Sequence, residues 1–302
     1  MKLLLLGGNG QVGRELRRVL PALGDVVVGT RDGADADVVA DFDAPEALAG
    51  LVHRIAPDVV VNAAAYTAVD RAEGEPVAAF RANAEAPSAL ARGCAGTGAL
   101  LVHYSTDYVF DGSGVRPYRE DDATAPLGVY GASKLAGEYA IRASGARHAI
   151  LRTAWVYAAH GRNFLHTMLR LASERDELGV VADQIGAPTP AAWIADATGQ
   201  LLRHGLATSG TWHLVAAGET CWHGFADAIM DEALAAGLLP RRPRVLPIAT
   251  VDYPTPARRP GYSVLDTTKL QRDFGIVPPD WRDGLRATLH GMEQDRGDMA
   301  AG

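Results

Sequence analysis

The chain has 302 residues, of which 48% are hydrophobic and 22% are charged, and its formal net charge at pH 7 is −7. This composition excludes an intrinsically disordered chain, and the negative charge argues against nonspecific nucleic-acid binding. No apolar run is long enough for a membrane span, and "MKLLLLGG" reaches glycine too early for a signal peptide. The only cysteines, Cys94 and Cys221, exclude a disulfide framework, so a cytoplasmic protein without membrane or nucleic-acid partners is predicted.

Short apolar runs alternate with amphipathic stretches in the first half of the chain, which predicts βαβ units in a parallel sheet. The predicted strands cover residues 2–7, 25–29, 58–64, 100–105 and 148–157, and the predicted helices cover 11–23, 43–55 and 80–97. After about residue 155 the alternation fades into loops rich in proline and glycine. This change indicates a smaller second lobe.

A glycine-rich turn, "GGNGQVG", follows the first predicted strand and opens the first helix. Gly7, Gly10 and Gly13 have a spacing that permits a tight turn and lets a pyrophosphate approach the backbone at the helix N-terminus. Gln11 and Val12 lie in the same turn. These five residues are predicted cofactor contacts, with a glycine turn that binds no ligand as the alternative.

The end of the second strand bears on the choice of dinucleotide. NAD sites usually carry an acid there, but "VVVGTRDG" offers Thr30 and Arg31. Arg31 is suited to a 2′-phosphate, so NADPH is predicted; NADH is the alternative if Arg31 is merely solvated and Asp32 accepts from the ribose. Asp41 and Phe42, which follow a third apolar run, are predicted to flank the adenine.

Small residues end the next predicted strand. Asn62 is followed by Ala63, Ala64 and Ala65, whose size suits close approach of a cofactor at the carboxyl end of a sheet. Tyr66 continues this stretch. We therefore include Ala64, Ala65 and Tyr66 in the predicted cofactor site.

The stretch "YGASKLAGE" places Tyr130 four residues before Lys134, on one face of a predicted helix. An ammonium near a phenol favours the phenolate and lowers the pKa of the tyrosine. An ordinary surface pair is the alternative for this spacing. Upstream, "HYSTDYVF" ends a strand with hydroxyls and a carboxylate, at the edge where α/β folds bind ligands.

Together these motifs resemble the extended short-chain dehydrogenase/reductases, and among them the dTDP-4-dehydrorhamnose reductase family. The resemblance spans nearly the whole chain and is carried by "GGNGQVGREL", "NAAAYTAVDRAE", "YSTDYVFDG", "YGASKLAGE", "RTAWVY", "GRNFLHTM", "DQIGAPT" and "PTPARRP". It implies reduction of the C4 keto group of dTDP-4-dehydro-β-L-rhamnose by NADPH, which gives dTDP-β-L-rhamnose.

The implied fold class is α/β: a Rossmann-type doubly wound parallel sheet with a smaller α/β substrate-binding lobe. The NADP-binding domain is predicted to cover residues 1–154 and about 188–208. The nucleotide-sugar-binding domain is predicted to cover about 155–187 and 209–302.

The resemblance gives the hydroxyls and the lysine catalytic roles. Ketone reduction needs a proton on the oxygen that becomes negative, and Tyr130 is the predicted donor. Lys134 is expected to lower the pKa of Tyr130 and to reach the nicotinamide ribose. Thr106 is expected to hydrogen-bond the substrate carbonyl and stabilise the developing alkoxide.

Asp107 and Tyr108 discriminate between reactions within this superfamily. Nucleotide-sugar 4,6-dehydratases follow Thr-Asp with a glutamate that removes the C5 proton, whereas this chain has Tyr108. Simple carbonyl reduction is therefore expected. Asp107 is predicted to hold a sugar hydroxyl, or else to cap local backbone.

On the substrate side the resemblance places Tyr104 beside the cofactor and Trp155 near the hexose, with a core role as the alternative for Trp155. Asn163 and Gln184 belong to polar segments suited to the nucleotide and sugar. Arg258 is the predicted diphosphate contact, and either it or Arg259 is expected to be structural.

No structural metal is predicted. Some bacterial relatives dimerise through magnesium held by glutamates; Glu15 matches one ligand, but Ala192 stands where a second carboxylate is wanted. We therefore predict a monomer or a weak homodimer. His103, in an apolar strand, is expected to be a core residue with satisfied hydrogen bonds.

Two other functions stay open at this point. One is a different dTDP-4-keto-6-deoxysugar reductase that serves natural-product synthesis. The other is a noncatalytic NADP-binding regulatory subunit, against which the intact Tyr130, Lys134 and Thr106 weigh.

Overall fold

The computed structural model describes residues 1–301, with side chains described through residue 294. The strands are β1 Lys2–Leu6, β2 Asp25–Thr30, β3 Val38–Val39, β4 Val59–Asn62, β5 Leu100–Thr106, β6 His148–Thr153, β7 Val156–Tyr157, β8 Glu177–Val181, β9 Ile185–Gly186, β10 Thr189–Pro190, β11 Gly210–His213, β12 Thr220–Cys221 and β13 Arg244–Ile248. The helices are α1 Gln11–Val19, α2 Glu46–Ile55, α3 Val69–Ala72, α4 Pro76–Phe80, α5 Ala86–Thr97, α6 Val129–Ala143, α7 Phe164–Glu174, α8 Ala191–His204, α9 Trp222–Ala235, α10 Thr268–Phe274 and α11 Trp281–Ala301. Among these helices, none is both long enough and apolar enough to cross a membrane.

Seven strands form the main sheet in the order β11-β6-β5-β4-β1-β2-β3, and all their pairings are parallel. The strand order reverses at β1, which lies between β2 and β4. In open α/β sheets, ligands bind outside the carboxyl ends of the strands at such a reversal. The topology therefore places a ligand crevice at the ends of β1 and β4.

Helices cover both faces of this sheet, which is why its central strands β1 and β4 are almost entirely apolar. Leu3 and Leu5 of β1 pack into a core with residues of α1 and α8. Leu4 and Leu6 pack on the opposite face with residues of α2 and α5. Alternate side chains of one strand thus supply two separate cores, as the two-residue period of a strand requires.

A smaller lobe has its own core. The parallel pair β8–β13 packs with α7, α9 and α11 around buried aromatic and aliphatic side chains, among them Phe225, Trp281 and Leu165. Two short strand pairs, β7–β10 and β9–β12, lie in the second half of the chain, and their strands bear the "RTAWVY" and "DQIGAPT" segments.

The α/β fold class with a Rossmann-type parallel sheet is confirmed, and three local differences have physical causes. Residues 80–97 are not one regular helix, because a π-helical turn at Arg81–Glu85 separates α4 from α5. The strand predicted over 148–157 breaks at Trp155, whose φ of 45° does not fit an extended chain. Strand β11 hydrogen-bonds β6 in the main sheet, although the predicted division at 208 puts it in the second domain.

Candidate active site

A cleft of about 820 Å³ lies over the carboxyl ends of the central strands. It collects most of the residues predicted for cofactor, catalysis and substrate. These are Gly7, Gly10, Gln11, Val12, Arg31, Phe42, Ala64, Ala65, Tyr104, Thr106, Asp107, Tyr130, Lys134, Trp155 and Asn163.

The glycine-rich turn forms one wall of the cleft. Gly7 has a φ of 78°, and a Cβ at this position would lie 2.6 Å from the Ala64 backbone nitrogen. Gly10 is the N-cap residue of α1 and has no side chain to bind the N–H groups of the first turn, whose residues Gln11 and Val12 line the cleft. Gly13 does not line it; a Cβ there would overlap the Gly7 carbonyl oxygen, so this glycine serves helix–strand packing.

Arg31 and Asp32, on which the choice between NADPH and NADH depends, follow the end of β2. The Arg31 side chain is 69% exposed, and its nearest carboxylate is Asp43 Oδ2 at 3.8 Å from Nη2. Asp32 lines the cleft beside it. An exposed guanidinium with so loose a partner remains available to a 2′-phosphate.

Besides Gly13, three predicted cofactor contacts do not line the cleft: Thr30, Asp41 and Tyr66. The Thr30 hydroxyl is buried and donates to a backbone carbonyl four residues later. Asp41 Oδ1 accepts from the Asp43 backbone N–H at 2.9 Å. The Tyr66 hydroxyl donates to Glu75 Oε2 at 2.6 Å. A polar group of each of these residues is therefore hydrogen-bonded within the protein. The spacing of residues along the sequence did not predict these hydrogen bonds.

Tyr130 and Thr106 meet at the end of β5. Thr106 is the last residue of that strand, and Tyr130 stands in the first turn of α6. Burial raises the pKa of Tyr130 to about 12, although the neighbouring Thr106 hydroxyl lowers it in part. The phenol therefore stays protonated across the neutral pH range and is able to donate.

Lys134 points toward β5. Its Nζ donates to the Tyr104 carbonyl at 2.6 Å and lies 3.3 Å from His103 Nε2. Burial lowers the pKa of Lys134 to about 8. The predicted lowering of the Tyr130 pKa by Lys134 is not found, because the amine is bound to the strand instead of the phenol.

Asp107 is a buried carboxylate beside the catalytic hydroxyls. Oδ1 accepts from the Thr106 hydroxyl at 3.0 Å, while Oδ2 is buried without a hydrogen bond to the described residues. Burial raises the pKa of Asp107 to about 6. Tyr108, the next residue along the chain, packs edge-on against Tyr130 with ring centroids 5.7 Å apart.

Trp155 is part of an aromatic stack in the cleft. Its ring lies parallel to Trp222 with centroids 3.5 Å apart, and Phe164 leans on Trp222 at 4.7 Å. On its other side the indole lies over Gly186, where a Cβ would be 2.5 Å from Trp155 Cε2. The left-handed backbone at Trp155 is thus held by packing on both faces of the ring.

Asn163 and Gln184 occupy different environments from each other. Asn163 Nδ2 donates to Gln11 Oε1 at 2.8 Å, so this side chain lies against the glycine-rich turn. Gln184 does not line the cleft; its buried amide donates to Thr250 Oγ1 at 3.0 Å. The predicted role of Gln184 in substrate binding has no support from its position.

The two arginines of "PARRP" differ in their partners. Arg259 binds Asp70 through both oxygens, at 3.1 and 2.8 Å, and also contacts the Thr255 hydroxyl. Arg258 is exposed and, instead of lining the main cleft, borders a small pocket with Tyr108 and Tyr130. Arg259 is therefore held in an ion pair, whereas Arg258 has no carboxylate partner among the described residues.

Sequence reasoning missed several cleft residues, including Asn9, Arg162 and Trp222. Arg162 belongs to the "GRNF" motif. Its charge and its position next to Asn163 could have predicted that it lines the cleft. Trp222, at the start of α9, had no signal, because its contact with Trp155 depends on a stack across the fold.

Glu15, the candidate magnesium ligand, contacts His160 Nε2 at 3.0 Å and Arg18 at 3.3 Å. Within the described part of the chain, no three or more His, Cys, Asp or Glu side chains come together as a metal site. The absence of a structural metal stays a prediction.

Comparisons with known proteins agree over nearly the whole chain. The family model described as "RmlD substrate binding domain" matches residues 1–294. A dTDP-4-dehydrorhamnose reductase from Burkholderia thailandensis is 52% identical over 291 residues, which cover 93% of this chain and 96% of the relative. The chain belongs to the dTDP-4-dehydrorhamnose reductase family.

Solved structures of dTDP-4-dehydrorhamnose reductases share this fold. The Clostridium acetobutylicum protein is 35% identical with a TM-score of 0.89, and the match covers 97% of this chain and all of that one. The Bacillus anthracis protein, solved in complex with NADP, is 34% identical with a TM-score of 0.88, covering 95% and 98%. The resemblance predicted from the motifs is confirmed.

Proposed function

We propose that the chain reduces the C4 keto group of dTDP-4-dehydro-β-L-rhamnose with NADPH to give dTDP-β-L-rhamnose. The observation that carries this proposal is the cleft, which joins a dinucleotide-type glycine turn to Tyr130, Lys134 and Thr106 in a chain that matches a dTDP-4-dehydrorhamnose reductase over 93% of its length. A noncatalytic subunit would have no need of these three groups together.

The cleft fits NADPH at two points. The uncapped first turn of α1 suits a pyrophosphate, and the exposed Arg31 suits a 2′-phosphate. The cofactor supplies a hydride to the C4 carbon. Arg162 adds a second exposed cation to the cleft, near the turn that contains Gln11.

Tyr130 and Thr106 act on the substrate oxygen. As C4 gains a hydride, its oxygen becomes an alkoxide, which is far more basic than a phenolate and takes the Tyr130 proton. The Thr106 hydroxyl stabilises the charge before that transfer. The raised pKa of Tyr130 keeps its hydroxyl protonated at neutral pH. After the proton transfer, a cation such as Lys134 is needed to stabilise the phenolate that remains.

Substrate recognition is assigned to three groups. Asp107 Oδ2, which has no hydrogen bond to the described residues, suits a sugar hydroxyl; Arg258 suits the diphosphate of the dTDP-sugar; and the edges of Trp155 and Trp222 that line the cleft suit the hexose. Tyr108 in place of a glutamate supports reduction without elimination.

An assay with the 4-keto sugar nucleotide, prepared from dTDP-glucose by the two upstream enzymes, tests the proposal. We expect NADPH absorbance to fall and the product to carry the rhamnose configuration at C4 by NMR. A product with the opposite C4 configuration would instead assign the chain to another deoxysugar pathway. No loss of NADPH absorbance would contradict an enzyme of this kind.

A cytoplasmic location and a monomeric or weakly dimeric state are part of the same proposal. Free Cys94 and Cys221 suit a reducing compartment, and Glu15 is already engaged by His160 and Arg18. Native mass spectrometry with and without magnesium should show no metal-dependent dimer; a dimer that requires magnesium would contradict this assignment.

A further inference from the structure

Asn62, His103 and Lys134 form a buried chain of polar contacts behind the cleft. Asn62 Nδ2 lies 3.0 Å from His103 Nδ1, and His103 Nε2 lies 3.3 Å from Lys134 Nζ. Asn62, His103 and Lys134 are all nearly inaccessible to solvent. An ordinary core histidine would not contact a catalytic lysine. The protonation state of Lys134 depends on which atoms of this chain donate a hydrogen bond and which accept one.

The Ala64 backbone fixes that direction. Its N–H donates to Asn62 Oδ1 at 3.1 Å, and a backbone N–H can only donate. The amide oxygen therefore faces Ala64, and the amide nitrogen faces His103. Because an amide nitrogen can only donate, His103 Nδ1 must accept. A neutral His103 then carries its proton on Nε2, the atom that faces Lys134.

This proton placement is poorly compatible with a lysine ammonium. An ammonium has three N–H groups and no lone pair, so it would meet the His103 N–H as one donor meets another. An amine has a lone pair that accepts from His103 Nε2 and still has a proton to donate to the Tyr104 carbonyl at 2.6 Å. The hydrogen bonds are all satisfied only in the amine form.

The titratable groups around Lys134 do not reverse this preference. Glu138, one helical turn further along α6, favours the ammonium, but Arg152 and Arg142 bind its carboxylate at 2.8 and 2.7 Å. Tyr130, on the same helix, is a neutral phenol at neutral pH. His103 itself cannot relieve the conflict by titrating, since burial and the Lys134 charge hold the pKa of His103 well below its usual value.

We propose that Asn62 and His103 are positioning residues that present an N–H to Lys134 and shift its ammonium–amine equilibrium toward the amine. The inference rests on the proposed function in one respect, because it takes the ribose hydroxyls of NADPH as acceptors for the lysine ammonium. Cofactor binding then favours the ammonium, and the lysine amine takes one proton from solvent as NADPH binds.

The tautomer of His103 is tested by nitrogen-edited NMR of the imidazoles in the wild-type enzyme without added cofactor. We expect a neutral ring with its proton on Nε2 throughout the neutral and mildly alkaline range. Asn62→Asp supplies an acceptor to Nδ1 and should move the proton to Nδ1. A wild-type Nδ1–H tautomer, or an imidazolium at neutral pH, would overturn the proposal.

Proton uptake is tested by calorimetry of NADPH binding in buffers of different ionisation enthalpy. Near pH 8, at the pKa of Lys134, uptake should be about half a proton per NADPH. The cofactor phosphate is already ionised at this pH, so it does not contribute to the uptake. His103→Gln, which offers Lys134 an amide oxygen without adding charge, should lower uptake toward zero, and Asn62→Asp should do the same.

His223→Gln is the matched control, since His223 lies in the smaller lobe with its Nε2 against the Val245 carbonyl, and it should keep wild-type uptake. Unchanged uptake in both Asn62→Asp and His103→Gln would overturn the proposal. Failure of the proposed function looks different: the 4-keto sugar would not be reduced, while the His103 tautomer would stay as expected.

Discussion

Asp107 is a carboxylate whose ionisation opposes folding. Burial raises its pKa to about 6, so the folded chain holds this proton more tightly than the unfolded chain does. The cost of ionisation is complete above about pH 6 and fades as the pH falls toward about 4, the ordinary value for a carboxyl group. We expect Asp107→Asn to raise the free energy of unfolding at about pH 8, by up to about 3 kcal/mol.

Urea unfolding at about pH 8 and about pH 5 checks this expectation, because the gain should shrink at the lower pH. Asp32→Asn, at an exposed carboxyl in the same cleft, is the control and should change stability little at either pH. The same gain for Asp107→Asn at both pH values would contradict a cost that comes from charge.

Arg31 is the residue on which the choice of dinucleotide depends. Its guanidinium is exposed and loosely paired, so a 2′-phosphate has little to displace. Arg31→Ala should weaken NADPH binding by about tenfold and leave NADH binding nearly unchanged, since only NADPH carries the phosphate. Fluorescence titration with both dinucleotides measures the difference, and equal losses for both would refute the assignment.

Helix α6 is the element that aligns the catalytic pair, and a side chain from outside the helix holds its start. Glu73 Oε1 accepts from the backbone N–H of Val129, the first residue of α6, at 2.8 Å. Glu73→Ala should lower the free energy of unfolding by about 1 kcal/mol and lower kcat, because Tyr130 lies in the released turn. Glu73→Gln retains an acceptor oxygen and should behave nearly like wild type.

Chemical denaturation and steady-state kinetics of the two Glu73 variants give the comparison. Equal losses in Glu73→Gln and Glu73→Ala would show that the charge of Glu73, and not its hydrogen bond to Val129, supports α6.

Elements were predicted well where a local rule sufficed. The apolar run of β1 and the glycine turn before α1 required only periodicity and spacing. The break at Trp155 was not visible, because its backbone is held by Trp222 and Gly186, which are distant in sequence. Likewise, the direction of Lys134 depends on a carbonyl of β5, and an i,i+4 spacing fixes only the helix face.

At the scale of the whole molecule, one ion pair joins segments almost two hundred residues apart. Asp70, in α3, binds Arg259 in the loop that also carries Arg258, and this contact lowers the pKa of Asp70. Asp70→Asn should raise KM for the sugar nucleotide several-fold through a less ordered Arg258, while the affinity for NADPH stays unchanged.

A double-mutant cycle with Arg259→Gln checks this link; the partly exposed pair should show a coupling of about 0.5–1 kcal/mol. Glu174→Gln, which breaks the exposed pair with Arg170 on α7, is the control and should leave KM unchanged. Additive effects of Asp70→Asn and Arg259→Gln would contradict the link.

The sheet as a whole could be predicted from its buried strands, but its full extent could not. Strand β11 is only four residues long and lies in a stretch without the alternation seen earlier, so only its pairing with β6 identifies it. The site shows the same limit. Asp107, Tyr130 and Thr106 line one cleft, as their motifs suggested, and their roles there stay predictions, whereas Gln184 and Tyr66 bind partners that only the folded chain brings near.

The most direct test of the account is Tyr130→Phe, measured for turnover of the 4-keto sugar nucleotide and for NADPH affinity in the same preparation. The variant keeps the ring that packs against Tyr108 but has no proton to give. We predict that kcat falls by at least about 100-fold while the Kd for NADPH stays within about twofold of wild type. A wild-type kcat in Tyr130→Phe would contradict the role of this phenol as the proton donor.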